Sequence, residues 1–318
     1  MLENLKFGFF AVLPILLMML VGYVFRAIGF LKKDFFLTCD KLVFYVALPL
    51  LLFKQMMEAD FGNVWNTKLL LFICIAAVIA FVFILAFGAL AIRQRADRGA
   101  FCQGCVRSNY SIVGLPLAQN LFGNLGYQTA ALIMPFLIPI YNILAILILT
   151  VNAPGDKRNF GGMLWKFVKC IVTNPLIIAM VVGVLLKEFS VSVPAPVMSV
   201  IDYCADLTMP LALMSLGATF ELSRLAGKFG MALSASIIKT VILPSLAIGA
   251  GVLLGFRGME LGMIFIVFAG PTSVSSYSMA AGMGANRELA GQIVVLSTVL
   301  SMFTLFFGAF LLRSFGLI

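Results

Sequence analysis

The sequence predicts an all-α membrane protein with ten transmembrane helices. They form two inverted five-helix repeats in which the crossover helices 4 and 9 are broken. Three observations predict this fold: apolar runs recur along the whole chain, the second half repeats proline and glycine positions of the first, and two mid-span prolines lie in polar stretches. Hydrophobic residues make up 62% of the chain and charged residues 11%, whereas a soluble domain carries about a quarter charged residues. Most of the surface is therefore predicted to face the lipid bilayer.

Ten apolar stretches are long enough to cross a bilayer, which takes about 20 helical residues. They lie near 7–28, 36–57, 69–92, 99–121, 128–150, 166–187, 195–220, 230–255, 259–283 and 289–312. The connections between them carry charged and turn-forming residues. The first repeat is predicted to cover 1–150 and the second 166–318, with a short cytoplasmic linker at 151–165.

The distribution of Lys and Arg predicts which way the loops face. An even number of spans puts both termini on one side. The opposite side carries Arg26, Lys32, Lys33, Arg93, Arg95, Arg98, Lys157, Arg158, Lys166, Lys169, Arg224, Lys228 and Arg287. The side of the termini carries fewer, namely Lys6, Lys54, Lys68, Lys187, Arg257 and Arg313. Because cytoplasmic loops are rich in Lys and Arg, both termini are predicted to be non-cytoplasmic, in a multi-pass protein of the cell membrane. The net charge of +9 is spread over short loops, which excludes a nucleic-acid partner.

The second half of the chain echoes the first at an offset of 161 residues. The matched pairs are Pro14 with Pro175, Met19 with Met180, Gly22 with Gly183, and Pro49 with Pro210. Span 1 then pairs with span 6, and span 2 with span 7. Five spans per repeat mean that the second copy enters the membrane from the opposite face. Inverted repeats of this kind are typical of secondary transporters, whose substrates bind near the midplane.

Spans 4 and 9 each carry a proline within a polar stretch. Proline removes a backbone donor, and in hydrocarbon the freed backbone groups need protein or water partners. We predict that both helices unwind near the midplane and present half-helix N-termini to an anion. The alternative is a pair of proline kinks with Ser and Thr packing between helices. The candidate substrate-binding residues are Arg107, Asn109, Ser111, Gly114 and Pro116 in span 4, and Gly270, Pro271, Thr272, Ser273, Ser275 and Ser276 in span 9.

Ionisable residues inside the spans are candidates for holding the substrate or a coupling ion. Arg107 is predicted to hold a substrate carboxylate. The coupling-ion candidates, for H+ or Na+, are Asp202, Asp206 and Lys239. The alternative is structural pairing, or snorkelling to the interface. Pro49 and Pro210 are expected to kink helices 2 and 7. The kinks are either hinges at which these helices flex or static bends.

Motifs of enzymes are absent from the sequence. The chain has no histidine, no Walker loop and no G-x-S-x-G. Cys102 and Cys105 form a C-x-x-C without the further ligands that a structural zinc site needs, so free thiols are predicted. We therefore predict that the protein is not an enzyme and that it binds no metal and no cofactor.

Several segments together carry a family resemblance. They are Lys41 to Phe53, Asn109 to Leu117, Leu121 to Gly123, Tyr141-Asn142, Asn174-Pro175, Met209 to Gly217, Gly270-Pro271 and Leu296 to Thr298. Over nearly its full length the chain resembles the auxin efflux carrier family, which includes the plant PIN carriers and bacterial malate or malonate permease-like members. Its short cytoplasmic loop departs from the long loop of the plant PIN members.

The resemblance implies a bile-acid symporter-like fold in which helices 4 and 9 cross at their prolines. It implies organic-anion substrates bound near that crossing, with roles for Asn109, Pro116 and Pro271, and often a homodimer. The predicted function is secondary transport of an organic anion by alternating access, the substrate being a small carboxylate such as malate or malonate, or an auxin-like acid. The alternative is a channel or a non-transporting membrane receptor on the same scaffold.

Overall fold

The computed structural model describes residues 2–58, 65–152, 173, 175–218 and 228–318. Within these ranges the regular structure is helical, and extended backbone pairs at an isolated bridge between Ser108 and Thr272. Seven helices of the described ranges are long and apolar enough to cross a membrane. Nearly all of the predicted linker and the first part of predicted span 6 lie outside the described residues.

The helices are labelled by the predicted span in which they lie. They are α1 (Leu2–Ala27), α2 (Lys33–Leu42 and Leu48–Glu58), α3 (Thr67–Ala91), α4a (Arg95–Val106), α4b with α5 (Leu115–Val151), α6 (Pro175–Glu188), α7 (Ala195–Asp206 and Thr208–Ala218), α8 (Phe229–Ile237 and Leu243–Leu253), α9a (Gly258–Ala269), α9b (Ser275–Gly282) and α10 (Arg287–Ser314). Helix α4b ends and α5 begins at Gly123, whose φ of 65° and ψ of −153° are not helical. Glycine adopts this conformation readily because it has no Cβ.

Three prolines follow a widened helical turn at a constant spacing. Pro49, Pro116 and Pro244 each lie two residues after a five-residue π turn. A proline clashes with the carbonyl four residues earlier and cannot bond to it, and the wider turn gives that carbonyl room. Pro116 therefore lies in the first turn of α4b, and the break that was predicted at this proline is wrong in position. The chain leaves the helix earlier, at 107–109.

Both chain ends lie on one face of the molecule. The Asn4 side-chain amide donates to the Ser314 hydroxyl (3.3 Å), and the Gly258 N–H donates to the Leu317 carbonyl (2.7 Å). Asn66, the N-cap residue of α3, donates to Glu260 on the same side. We call this side the termini face. The opposite face carries the end of α1 and the start of α4a.

Helices α1 and α7 touch backbone to backbone toward the opposite face. A Cβ on Gly22 would clash with the Met214 carbonyl, and one on Gly217 would clash with the Met19 carbonyl. Glycine at both positions permits this close approach, which is common between membrane helices.

Helices α2 and α6 make a similar contact. A Cβ on Gly183 of α6 would lie 2.7 Å from the Phe53 carbonyl oxygen of α2. Close packing in both helix pairs, α1 with α7 and α2 with α6, thus depends on a glycine that faces a backbone carbonyl.

Candidate functional site

The interruption after α4a and the interruption after α9a are bonded to each other. The Asn109 N–H donates to the Pro271 carbonyl (2.7 Å), and the Ser273 N–H donates to the Arg107 carbonyl (3.3 Å). Unwound backbone in a membrane must be satisfied by protein or water. Here the two unwound segments, 107–109 and 270–274, satisfy part of each other's requirement. We call this pairing the junction.

Thr272 anchors the junction to two further helices. Its side chain is fully buried, and its hydroxyl donates to the Gly104 carbonyl of α4a (2.7 Å). Its N–H donates to the Ser297 hydroxyl of α10 (3.0 Å). Gly270 fits close to the partner segment, because a Cβ there would lie 2.8 Å from the Ser108 hydroxyl oxygen. The junction is therefore held by backbone and by short side chains, which leave little room for rearrangement.

Three buried polar atoms near the junction have no hydrogen-bond partner among the described residues. They are the Asn109 side-chain nitrogen and the hydroxyl oxygens of Ser108 and Ser276. A buried donor without a partner costs about 1–3 kcal/mol. The Asn109 amide is thus a donor available to an acceptor such as a carboxylate oxygen.

Arg107 is half-buried beside the junction. One terminal nitrogen donates to the Asn142 side-chain oxygen of α5 (2.8 Å), and the other contacts the Met279 sulfur of α9b. Its guanidinium therefore ties α4a to α5 and α9b. Of the other predicted residues, Ser111 and Gly114 lie in the π turn before α4b, and Ser275 shares a hydroxyl contact of 2.9 Å with Ser273.

An open cavity of about 510 Å³ lies between α1, α2, α4b, α5 and α7. It reaches from Glu58, the last residue of α2, to Pro116, at the start of α4b. Its lining is Pro14, Ile15, Met18, Leu51, Lys54, Gln55, Glu58, Pro116, Gln119, Asn120, Asn124, Tyr127, Asp206, Met209, Pro210 and Leu213. Four carboxamide side chains and three charged ones place polar groups in a cavity whose lining is otherwise mostly apolar. The junction residues do not line it.

The cavity carries one cation against two carboxylates. Lys54 is the cation, and Glu58 and Asp206 are the carboxylates. The Lys54 ammonium lies 2.7 Å from Asp202 Oδ1 and 4.0 Å from a Glu58 oxygen. Asp202 does not itself line the cavity. The predicted coupling candidates are therefore divided, since Asp206 faces the cavity and Asp202 forms an ion pair at its edge.

Lys239 lies away from the cavity in the π turn of α8. Its side chain is fully buried, and its ammonium donates to the Phe268 carbonyl at the end of α9a (2.9 Å). The carbonyl end of a helix carries partial negative charge, which stabilises a cation. Lys239 therefore stabilises the end of the half-helix that leads into the junction.

The structure gathers the predicted residues in two places. Arg107, Asn109, Gly270, Pro271, Thr272 and Ser273 meet at the junction, while Pro116, Asp206 and Pro210 line the cavity. Pro49 is buried in α2 and lines neither. The site residues that were not predicted from the sequence are Gln55, Gln119, Asn120, Asn124 and Ser297, and Lys54 was counted only among the charges of the loops. The polar run from Gln119 to Asn124, in an otherwise apolar span, was the signal available for three of them.

Cys102 and Cys105 are buried, free thiols with separate surroundings. The Cys102 sulfur contacts the Ile84 carbonyl (3.4 Å), and the Cys105 sulfur contacts the Ala235 carbonyl (3.8 Å). Each thiol therefore packs against a different helix.

Multi-pass membrane transport proteins combine apolar helices, an open cavity that carries charged and polar side chains, and unwound segments buried in protein, as this chain does. The chain matches the membrane transport protein family over residues 7–308 and belongs to that family. The predicted resemblance to auxin efflux carriers is confirmed by this match. The protein is thus a membrane transporter and not an enzyme.

Two relatives are similar to this chain over nearly its whole length. An "Uncharacterized transporter" of Methanothermobacter thermautotrophicus is 23% identical, over 92% of this chain and 95% of the relative. A "Putative malonate transporter" of Rhizobium meliloti is 24% identical, over 95% of both chains.

Proposed function

We propose that the protein is a secondary transporter that moves a small organic anion, of the malonate or malate class, by alternating access. The observation that carries this proposal is the buried Asn109 amide, a donor without a partner at the junction of two broken helices. The name of the Rhizobium relative supports a dicarboxylate. An auxin-like acid is the other substrate of the same chemistry.

We propose further that the ten helices form two inverted repeats, 1–150 and 166–318. Two packing contacts support this arrangement. Gly22 faces the Met214 carbonyl, and Gly183 faces the Phe53 carbonyl. Adding 161 to 22 gives 183, and adding 161 to 53 gives 214, so the repeat offset converts one contact into the other. Related contacts are expected when two copies of one unit pack in opposite orientations.

This geometry supports the following proposed cycle. Substrate enters the cavity from the termini face and moves past Pro116 toward the junction. One bundle then rocks against the other, so that the substrate faces the opposite side. The cation deficit of the cavity favours uptake of H+ or Na+ with the anion, and Asp202 and Asp206 are the candidate acceptors. The non-cytoplasmic location of the termini and the homodimer stay predictions.

The test is flux of labelled malonate, malate and indole acetate into proteoliposomes under imposed proton, sodium or voltage gradients. We expect saturable flux of one acid and its loss in Asn109→Ala. Asn4→Ala is the matched control, because Asn4 is a partly exposed asparagine on the termini face, away from the junction, and it should transport normally. Flux that does not saturate would instead support a channel, and binding without flux would support a receptor. Full transport by Asn109→Ala would remove the junction from the mechanism.

A further inference from the structure

Lys54 stands out among the charged groups of the cavity. It lies one turn before the end of α2, its side chain is 23% exposed, and no other cationic side chain lines the described part of the cavity. A carboxylate substrate entering from the termini face therefore meets a single positive charge. Four neutral amide side chains, from Gln55, Gln119, Asn120 and Asn124, lie in the same cavity.

Asp202 already forms an ion pair with the Lys54 ammonium. Its Oδ1 atom is buried against Lys54 at 2.7 Å, although the side chain as a whole is 36% exposed. Asp202 belongs to α7 and approaches from outside the cavity lining, whereas Lys54 belongs to α2 and lines the cavity. The ammonium thus has one side toward an internal carboxylate and one side toward the space in which a substrate carboxylate would lie.

We propose that a substrate carboxylate displaces Asp202 from Lys54, and that the displaced Asp202 takes up one proton from solution. This inference rests on the proposed function and deepens it, because it assigns the first substrate contact and the coupling ion. No covalent bond changes. One ion pair replaces another, and a proton neutralises the carboxylate that has lost its cation.

The surrounding charges favour proton uptake once the pair opens. Glu58 on α2 and Asp206 on α7 are the other charged groups around Lys54, and the Tyr127 hydroxyl of α5 lies near Asp206. A freed Asp202 would thus face further carboxylates in addition to the substrate, and like charges disfavour the ionised form. By linkage, a ligand whose binding takes up a proton binds more tightly as the pH falls.

The experiment is calorimetric titration of malonate, malate and indole acetate into the purified full-length protein. Titrations in buffers of different ionisation enthalpy give the number of protons taken up. For the wild type we expect uptake of about one proton per bound acid, and binding that weakens as the pH rises. Asp202→Asn should take up none and should bind up to about fivefold more tightly, because a partly exposed ion pair no longer competes. Lys54→Gln should weaken binding about 30-fold or more.

A charge swap separates recognition from structural pairing. The double variant Lys54→Asp with Asp202→Lys keeps an ion pair, but it moves the cation out of the cavity lining. We expect this double variant to keep the wild-type unfolding temperature and to lose binding of the acid. Lys54→Arg should keep both the unfolding temperature and the binding. Binding by the swap at the wild-type level would overturn the proposal, and so would proton uptake by Asp202→Asn or a requirement for sodium. Normal binding by Lys54→Gln would overturn this inference alone, whereas a wild type that binds none of the acids would overturn the proposed function as well.

Discussion

The packing of α1 against α7 differs between the termini face and the opposite face. Near the termini face, residues of α1 and α7 stand on the wall of a 510 Å³ cavity. Toward the opposite face, the same helices touch through Gly22 and Gly217, and Arg26 at the end of α1 donates to the Ala218 carbonyl of α7. The structure therefore has one open side and one side where α1 and α7 are joined, and the proposed alternating-access cycle requires such a difference in each of its states.

The repeat offset also relates side chains at these two faces. Adding 161 to Lys54 gives Ser215, which is buried; its hydroxyl donates to Asp40 and lies 3.2 Å from the Phe36 carbonyl oxygen. The open face thus has an ammonium paired with an aspartate, and the joined face has a hydroxyl bonded to one. A neutral donor can be buried at lower cost than an ammonium, which explains why the tightly packed position carries serine.

The largest expected effect is on the contact between α1 and α7. Gly217→Ala places a Cβ against the Met19 carbonyl, and we expect a loss of at least about 1–3 kcal/mol of stability together with transport, as in other overpacked contacts. Gly249→Ala is the matched control, because a Cβ at this helical glycine has no neighbour within 4 Å. The measurements are the unfolding temperature in detergent and flux in proteoliposomes. Equal behaviour of the two variants would show that this contact is unimportant for the cycle.

The next effect distinguishes the two prolines of the broken helices. In Pro271→Ala the new N–H can bond the Val267 carbonyl and extend α9a into the junction, where the Pro271 carbonyl now accepts from Asn109. We expect flux to fall about 100-fold, the effect of misplacing a site by roughly an ångström. Pro116→Ala only allows the π turn to relax toward α-helix, and flux should fall less than about tenfold.

The measurement is the initial rate per reconstituted protein, compared at equal unfolding temperature. Because both prolines were predicted from the sequence to break their helices, a matched loss in the two variants would support that prediction over the structure.

Hydropathy predicted the membrane-spanning helices because a bilayer imposes length and composition on each crossing. The polar stretch around Pro271 predicted the second interruption, since proline and unpaired polar groups are costly in hydrocarbon. The first interruption was harder to locate, because a π turn two residues before Pro116 meets the steric demand of proline without breaking the helix. Lys54 was missed for another reason. A lysine one turn from a helix end resembles an interfacial charge, and its ion-pair partner Asp202 lies 148 residues later in the sequence.

Labelling of introduced cysteines measures directly how the accessibility of the two faces differs. In a variant with all six native cysteines replaced by alanine, Asn124→Cys should react with a membrane-impermeant thiol reagent applied from the termini face. Ser215→Cys is the matched position on the joined face, and it should react slowly from either side because Ser215 is 1% exposed. Labelling of Asn124→Cys in intact cells would also support non-cytoplasmic termini. Fast labelling of Ser215→Cys with protection of Asn124→Cys would mean that the protein rests in the opposite state.

The smallest expected effect concerns Ser111, a predicted site residue that lies between the junction and the cavity. Its hydroxyl makes no hydrogen bond to the described residues, its side chain is partly exposed in the π turn, and it does not line the cavity. Ser111→Ala should therefore change the flux less than about twofold, as expected for a substitution that removes no contact. Asn109→Ala is the comparison in the same stretch, since it removes the unpartnered amide. A loss in Ser111→Ala as large as that in Asn109→Ala would mean that the substrate contacts the π turn itself, and the site would then extend from the junction toward Pro116.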